Sequence, residues 1–229
     1  MDGREAPPLL SVYSALHNRL EGIEESIASV LDQRDVDLEY VVVDDCSTDG
    51  TLDYLLSIDD PRLVVLRNVR NIGFTRSILR ALSQARGRYA AAQDGGDVSL
   101  PGRFRAQVDF LEAHPDVAVV GVGVVNHHVA LNRRAPFPGR VREGDREIVR
   151  YTHGEVMFRK AIYDAVGGYR DVFYYSQDKD LWNRMQAHGR LEMIDEIFYE
   201  RRIFPDSVQG DIIKLGRQAI FSNLVVHVE

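Results

Sequence analysis

Apolar residues along this chain keep two rhythms, short continuous runs and helical stripes, and the two alternate through the first half. LLSVY (9–13) is a short apolar run that reads as a strand. Leu20, Ile23, Ile27, Val30 and Leu31 then share one face at helical spacing. LEYVVVDD (38–45) is a continuous apolar strand ending in two acids. The turn CSTDG leads into a stripe at Leu52, Leu55 and Leu56. RLVVLRN (62–68) predicts a third strand, NIG a turn, and Phe74, Ile78 and Leu82 a helix that closes at Arg86-Gly87. YAAAQ (89–93) is a weaker strand that runs into the acidic turn DGGD. Pro101 can open a helix carrying Phe104, Val108 and Leu111, and VAVVGVGVV (117–125) is another strand.

Strand and helix in regular alternation predict right-handed βαβ units and an open, mostly parallel sheet with helices on both faces. The unbroken apolar run at 38–45 fits a central strand covered on both sides. Ligands in such sheets bind beyond the carboxyl ends of the strands. Two acidic clusters fall there, Asp44-Asp45 and Asp94 to Asp97. From about 129 to 150 the chain turns polar, Arg-rich and marked by Pro and Gly, which predicts a loop or excursion within one folding unit. The second half is less regular. It predicts a strand around 155–159, a short helix to Val166, a Gly-Gly-Tyr turn, a helix from about Lys179 to His188, a strand within MIDEIFYERRIF, and a last helix near 211–221.

Size and composition narrow the function classes. At 229 residues, 45% hydrophobic and 28% charged, the chain is an ordinary globular sequence with length for one large domain. A net charge of -7 offers no basic field for a nucleic-acid partner. The positive charge is almost all Arg, which suits discrete contacts to carboxylate or phosphate, although a compositional bias would produce the same excess. The lone Cys46 allows no internal disulfide and no Cys-based metal site, and fits a reducing compartment. The polar start MDGREAPP has no signal-peptide character, and no run approaches a membrane span. The expected location is the cytoplasm. Peripheral contact with the inner face of the membrane stays open, although no basic amphipathic helix calls for it.

No GxGxxG follows the first strand and no GxxxxGK[ST] occurs anywhere, so any nucleotide is held without a glycine-rich phosphate loop. VVVDDCSTDG is the sharpest feature of the first half. Asp45, just past a buried strand, can accept a hydrogen bond from a base N–H or a ribose hydroxyl, and Asp44 can brace the loop or the same ligand. Ser47, Thr48 and Asp49 are candidates to cap the following helix. Arg76, after the NIG turn, is as readily a surface residue as a phosphate contact. His153 stands in THGEVMF, and SQDKDLWNRM puts Asp178 and Asp180 at a helix start, where capping alone would account for both.

The chain resembles the family 2 glycosyltransferases of the GT-A fold over about residues 8 to 210. The resemblance rests on Val43 through Thr51, Asn71-Ile72-Gly73, Ala85 through Tyr89 with the acidic turn after it, Ser99-Leu100-Pro101, Arg103, Gln107, the His153-Gly154 segment and Gln177-Asp178-Lys179-Asp180-Leu181-Trp182. It implies an inverting enzyme that moves a sugar from a nucleotide-diphosphate donor to a hydroxyl on a glycan, a lipid-linked acceptor or a small molecule. Residues of about 8–125 would form a nucleotide-binding half and about 126–229 an acceptor half of one domain, 1–229. The resemblance places Ala15, His17, Asp44, Asp45, Arg76 and Asp94 at the donor, with His17 against the base. It places His153, Gly154 and Gln177 on the acceptor side, makes Asp178 the base, and leaves Trp182 to the core.

Two positions depart from the family. Its Asp-x-Asp metal motif is Asp94-Gly95-Gly96-Asp97 here, and a C-terminal His that can complete the metal shell is Phe204. A Mg²⁺ or Mn²⁺ ion held by Asp94 and Asp97 is one reading, and phosphates neutralised by arginines are the other. A non-catalytic nucleotide-sugar-binding protein of the same fold, or a nucleotidyltransferase, are the competing functions. Against the last, HNRLEG is not the Gly-rich basic loop such enzymes carry after the first strand.

Overall fold

A computed structural model describes residues 6–205 of the chain. Four strands of the first half, β1 (Leu10–Leu16), β2 (Leu38–Asp44), β3 (Leu63–Arg67) and β4 (Tyr89–Ala92), pair in parallel in the order β3-β2-β1-β4. The chain winds outward from β1 to β3, then returns to the other side of β1. This reversal opens a crevice beyond the carboxyl ends of β1 and β4, where such sheets bind ligands.

The continuous apolar strands are explained by cover on both faces. Leu10, Val12, Leu38, Tyr40 and Val42 pack under α1 (Ile23–Leu31) and α4 (Arg103–Ala113) through Ile23, Ile27, Val30, Phe104, Val108 and Leu111. The alternate residues Tyr13, Val41, Val43, Ala90 and Ala92 face α3 (Phe74–Gln84) and α6 (Gln177–Met185) through Ile78, Leu82, Leu181, Trp182 and Met185. Glu39, buried inside this sheet, accepts from Ser11 Oγ at 2.7 Å and from the Arg86 N–H at 2.7 Å. Gly87 must be glycine, because a Cβ there would stand 2.4 Å from the Ser11 nitrogen.

Beyond β4 the sheet is mixed. β10 (Met157–Arg159) lies antiparallel between β4 and β6 (Val117–His128), β11 (Arg190–Ile203) runs parallel to β6, and β5 (Val98–Ser99) closes the edge antiparallel to β11. A strand from the second half of the chain is thus inserted between two from the first. The helices α2 (Thr51–Leu56) and α5 (Lys160–Ala165) are short.

Several expectations need correction. The stretch from 129 to 150 is not a loop: β7 (Arg133–Phe137) pairs with β6, and β8 (Arg140–Glu143) with β9 (Arg146–Val149) forms a hairpin. β7 is almost wholly exposed, so it carries no apolar alternation to announce it. Leu20 lies before α1 and is 44% exposed, so it is not part of the stripe. The helix expected from Lys179 begins at Gln177, and the one expected at Pro101 begins at Arg103. The helix expected near 211–221 lies outside the described residues. No helix among the described residues is long and apolar enough to cross a membrane.

Candidate functional site

A cavity of about 620 Å³ opens at the reversal of strand order. It gathers Ala15, His17 and Asp45 from the first two strand ends, Asp94 and Asp97 from the acidic turn, His153 from the loop before β10, and Gln177 and Asp178 from the start of α6. Residues up to 163 positions apart therefore share one space.

Asp45 leaves β2 buried, at 3% exposure. Its Oδ1 accepts from Asn68 Nδ2 at 2.8 Å and the Ile72 N–H at 2.9 Å, and its Oδ2 accepts from the Gly73 N–H at 2.8 Å. The carboxylate thereby holds the NIG turn, and Oδ2 keeps a lone pair for a ligand donor. Gly73, with φ of 90°, supplies the backbone conformation that brings its N–H inward. His17 stands at the exposed mouth, its Nδ1 2.9 Å from the Asp45 carbonyl. Asp44 is fully buried and outside the cavity, with Oδ2 accepting the Ser47 N–H at 3.1 Å. It braces the loop, and its other carboxylate oxygen, Oδ1, is buried without a hydrogen-bond partner among the described residues.

The CSTDG residues do more than start α2. Ser47 Oγ accepts the Asn18 N–H at 3.0 Å, Asp49 Oδ2 the Leu20 N–H at 2.9 Å, and Thr51 Oγ1 the Arg19 N–H at 3.0 Å. Asn18 Oδ1 returns the contact by accepting the Thr48 N–H at 2.8 Å. The cap of α2 is Gly50, with no side-chain cap bond. Sequence reasoning assigned these side chains to the helix they precede and missed the loop at 17–20, which they grip from about thirty positions away.

Asp94 and Asp97 lie on opposite sides of the double-glycine turn. Asp94 Oδ1 pairs with His153 Nδ1 at 2.7 Å. Asp97 is buried, its Oδ2 accepting from the Tyr199 hydroxyl at 2.8 Å and its Oδ1 from the Arg202 N–H at 2.8 Å. Burial, and then repulsion from Asp94, pushes the Asp97 carboxyl well above the usual range. Burial alone would lower the pKa of His153, but Asp94, with Asp178 and Glu155 behind it, outweighs this and pushes it up to about 9. The His153 backbone is held at φ 101°, in the left-handed region, and its Nε2 is 3.1 Å from the Tyr169 hydroxyl. Gly154 does not line the cavity. A Cβ there would stand 2.0 Å from the Tyr199 hydroxyl oxygen, so Gly154 lets that side chain bridge the turn.

A divalent cation takes oxygen ligands, for Mg²⁺ one or two carboxylates with waters and substrate phosphates, and this turn has few uncommitted carboxylate oxygens to offer one. Both Asp97 oxygens already accept protein donors, Asp94 is tied to His153, and a Cβ on Gly96 would stand 2.9 Å from the Phe204 ring. Among the described residues, no group of three or more His, Cys, Asp or Glu side chains is placed to hold a metal ion.

Asp178 lies in the first turn of α6, half-buried on the cavity wall, with Gln177 beside it. Asp180 is not a cap: its carboxylate pairs with Arg184 at 2.5 Å and Arg170 at 3.4 Å, which ties α6 to the Gly-Gly-Tyr turn. Arg76 is not brought into the cavity. It pairs with Asp171 at 3.4 Å, both side chains more than half exposed. Among the described residues, the arginines that line the cavity are Arg19, Arg201 and Arg202.

Comparison with known proteins agrees with this architecture. EpsE of Bacillus subtilis is 35% identical over 208 residues, covering 85% of this chain and 73% of the relative. An uncharacterized glycosyltransferase of Methanocaldococcus jannaschii is 28% identical over 216 residues, covering 89% of this chain and 73% of its own. Among solved structures, TarS 1-349 of S. aureus in complex with UDP superposes with a TM-score of 0.72 at 20% identity, over 95% of this chain. The mannosyltransferase PcManGT of Pyrobaculum calidifontis in complex with GDP-Man and Mn²⁺ superposes with a TM-score of 0.74 at 17% identity, over 98% of this chain. The chain spans 65% and 66% of those two structures. At such identities the superpositions establish a shared GT-A-like fold. Residues 11–170 match the sequence pattern of glycosyl transferase family 2, and the chain belongs to that family.

Proposed function

We propose that the protein is an inverting glycosyltransferase that moves a sugar from a nucleotide-diphosphate donor to a hydroxyl acceptor on a glycan, a lipid-linked molecule or a small molecule. The observation that carries this reading is one cavity lined both by Asp45 and His17, at the strand ends, and by a half-buried carboxylate, Asp178, from the first turn of α6. Asp45 Oδ2 receives a base or ribose donor, and the His17 ring covers the base. Asp178 takes the acceptor proton as the acceptor oxygen attacks the anomeric carbon from the face opposite the diphosphate. The bond from that carbon to the diphosphate oxygen breaks, and the nucleoside diphosphate leaves. His153, held protonated by Asp94, adds positive charge to a site otherwise rich in carboxylates. The two halves of the chain act as one unit, and the reducing cytoplasm suits the single cysteine.

Turnover of UDP-, GDP- and dTDP-sugars by wild type and Asp178→Asn tests the assignment. A positioned general base contributes about 10²–10⁴-fold. The variant is expected to lose that much turnover while still binding the nucleoside diphosphate. Equal turnover by the two proteins removes Asp178 from the mechanism. A second reading, a nucleotide-sugar-binding protein without transfer activity, is favoured by the packing of Phe204 against Gly96. It predicts donor binding with no turnover by the wild type.

A further inference from the structure

The start of α3 is joined to three parts of the molecule that surround the cavity. Gly73, just before the helix, gives its N–H to Asp45 Oδ2 at 2.8 Å. Phe74 meets His153 edge-on, with ring centroids 5.4 Å apart. Thr75 Oγ1 donates to the Phe173 carbonyl at 2.8 Å, across 98 positions of sequence.

Phe173 belongs to the segment 170–176, which leaves the Gly-Gly-Tyr turn and ends at the start of α6. Asp171, Val172 and Tyr174 are exposed, whereas Phe173 is 5% exposed and Thr75 6%. The bond between these two residues is thus out of water, and a Phe173 carbonyl deprived of it has no solvent to turn to. Beside it, the Tyr174 ring lies over Gly73, where a Cβ would stand 3.5 Å from the Tyr174 hydroxyl oxygen. Arg76 and Asp171 join the same two elements at the surface, at 3.4 Å with both side chains more than half exposed, a setting in which an ion pair contributes little.

Tyr174, Tyr175, Ser176 and Gln177 are all that separate Phe173 from Asp178. On the far side of Asp178, Asp180 pairs with Arg170 and Arg184 and gives its N–H to the Ser176 carbonyl at 3.1 Å. The first turn of α6 is therefore held on both sides of Asp178, by α3 through Phe173 and by the Gly-Gly-Tyr turn through Asp180. A base must stand about 2.6–3.2 Å from the group whose proton it takes. A shift of about 1 Å caused by a change away from the chemistry can cost about 10²-fold in rate.

We propose that Thr75 is a positioning residue for the transfer reaction: its buried bond to the Phe173 carbonyl fixes the segment 170–176 and so sets where Asp178 stands on the cavity wall. The proposal rests on the reading of Asp178 as the base given above. Thr75 does not line the cavity and acts through Asp178.

The test is donor turnover by the full chain with water as the acceptor, followed as release of UDP, GDP or dTDP from the matching sugars, with nucleoside diphosphate binding measured alongside by calorimetry. In this reaction the water oxygen bonds to the anomeric carbon, its proton passes to Asp178, and the nucleoside diphosphate leaves with the electron pair of the broken bond. Thr75→Val keeps the shape of the side chain and loses the hydroxyl. It is expected to lower kcat about 10–100-fold while binding the nucleoside diphosphate as wild type does. Thr75→Ser keeps the hydroxyl and is expected to restore most of the turnover. Thr75→Val combined with Asp178→Asn is expected to turn over no more slowly than Asp178→Asn alone, because the place of a base that is absent has no effect. Thr75→Ala removes the same hydroxyl with less bulk and takes over the comparison if Thr75→Val does not fold. Equal kcat in wild type and Thr75→Val, or losses that multiply in the double variant, overturns the proposal. Full turnover by Asp178→Asn, or none by a folded wild type, overturns the base reading itself, and this proposal with it.

Discussion

Asp45→Ala removes the joint between β2 and the nucleotide end, and its cost can be worked from the contacts. The carboxylate accepts three protein hydrogen bonds, from Asn68 Nδ2, the Ile72 N–H and the Gly73 N–H, all between 2.8 and 2.9 Å. Bonds to a charged acceptor contribute about 1.5–3 kcal/mol each. Burying the carboxylate costs several kcal/mol in the opposite direction, and the variant is relieved of that cost. The remaining penalty comes from two backbone N–H groups and an amide left without an acceptor where the side chain was 3% exposed. A net loss of about 2–4 kcal/mol is expected. For a chain of this size that lowers Tm by about 5–15 °C. Circular dichroism melts of wild type, Asp45→Ala and Asp45→Asn read the effect. The Asn variant keeps one acceptor oxygen but turns an NH₂ toward N–H donors, so it recovers little. Nucleoside diphosphate binding, measured where all three proteins are folded, reads the second role of the residue. An Asp45→Ala protein that melts with wild type and binds nucleotide as tightly would refute both the anchoring of the NIG turn and the base contact.

Gly154→Ala is expected to displace Tyr199 from Asp97, since the new Cβ would stand 2.0 Å from the hydroxyl oxygen. A stability loss of about 1–3 kcal/mol in urea titrations, with lowered donor turnover, is the expected outcome. His153 is expected to carry both ring protons at pH 7.5, because its folded pKa of about 9 lies above the 6.5 of an ordinary histidine. Its contribution to stability is then full below about 6.5 and is lost as pH rises through about 9. Imidazole ¹⁵N shifts read the protonation, and melts across that window in wild type and Asp94→Asn read the stability. A neutral His153 ring at pH 7.5 would contradict the charge assignment.

Local pattern carried much of the fold. Between Leu38 and Val43 the one charged residue is Glu39, and it is buried against Ser11 and Arg86. Such a strand needs helices on both faces, and the stripes at Ile23–Leu31 and Phe74–Gln84 are the helices that cover it. β7 escaped the periodicity for the converse reason: its side chains face largely outward, so backbone pairing to β6 selects it, and pairing leaves little mark on the order of apolar residues. The two-residue β5 is too short for any period.

At the site, the sequence by itself determined which acids stand at strand ends. A buried strand followed by a turn places Asp45 beyond the sheet whatever else the chain does, and a helix start places Asp178 in its first turn. Tertiary structure alone decided what those acids meet. Asp94 finds His153 across 59 positions, Asp97 finds Tyr199 across 102, and Arg76 goes to Asp171 while Arg19 goes to the cavity. Periodicity records only which face of an element is buried. Which side chain crosses from one element to another depends on register and on the space left by neighbours, as Gly95 and Gly96 leave it for Arg19.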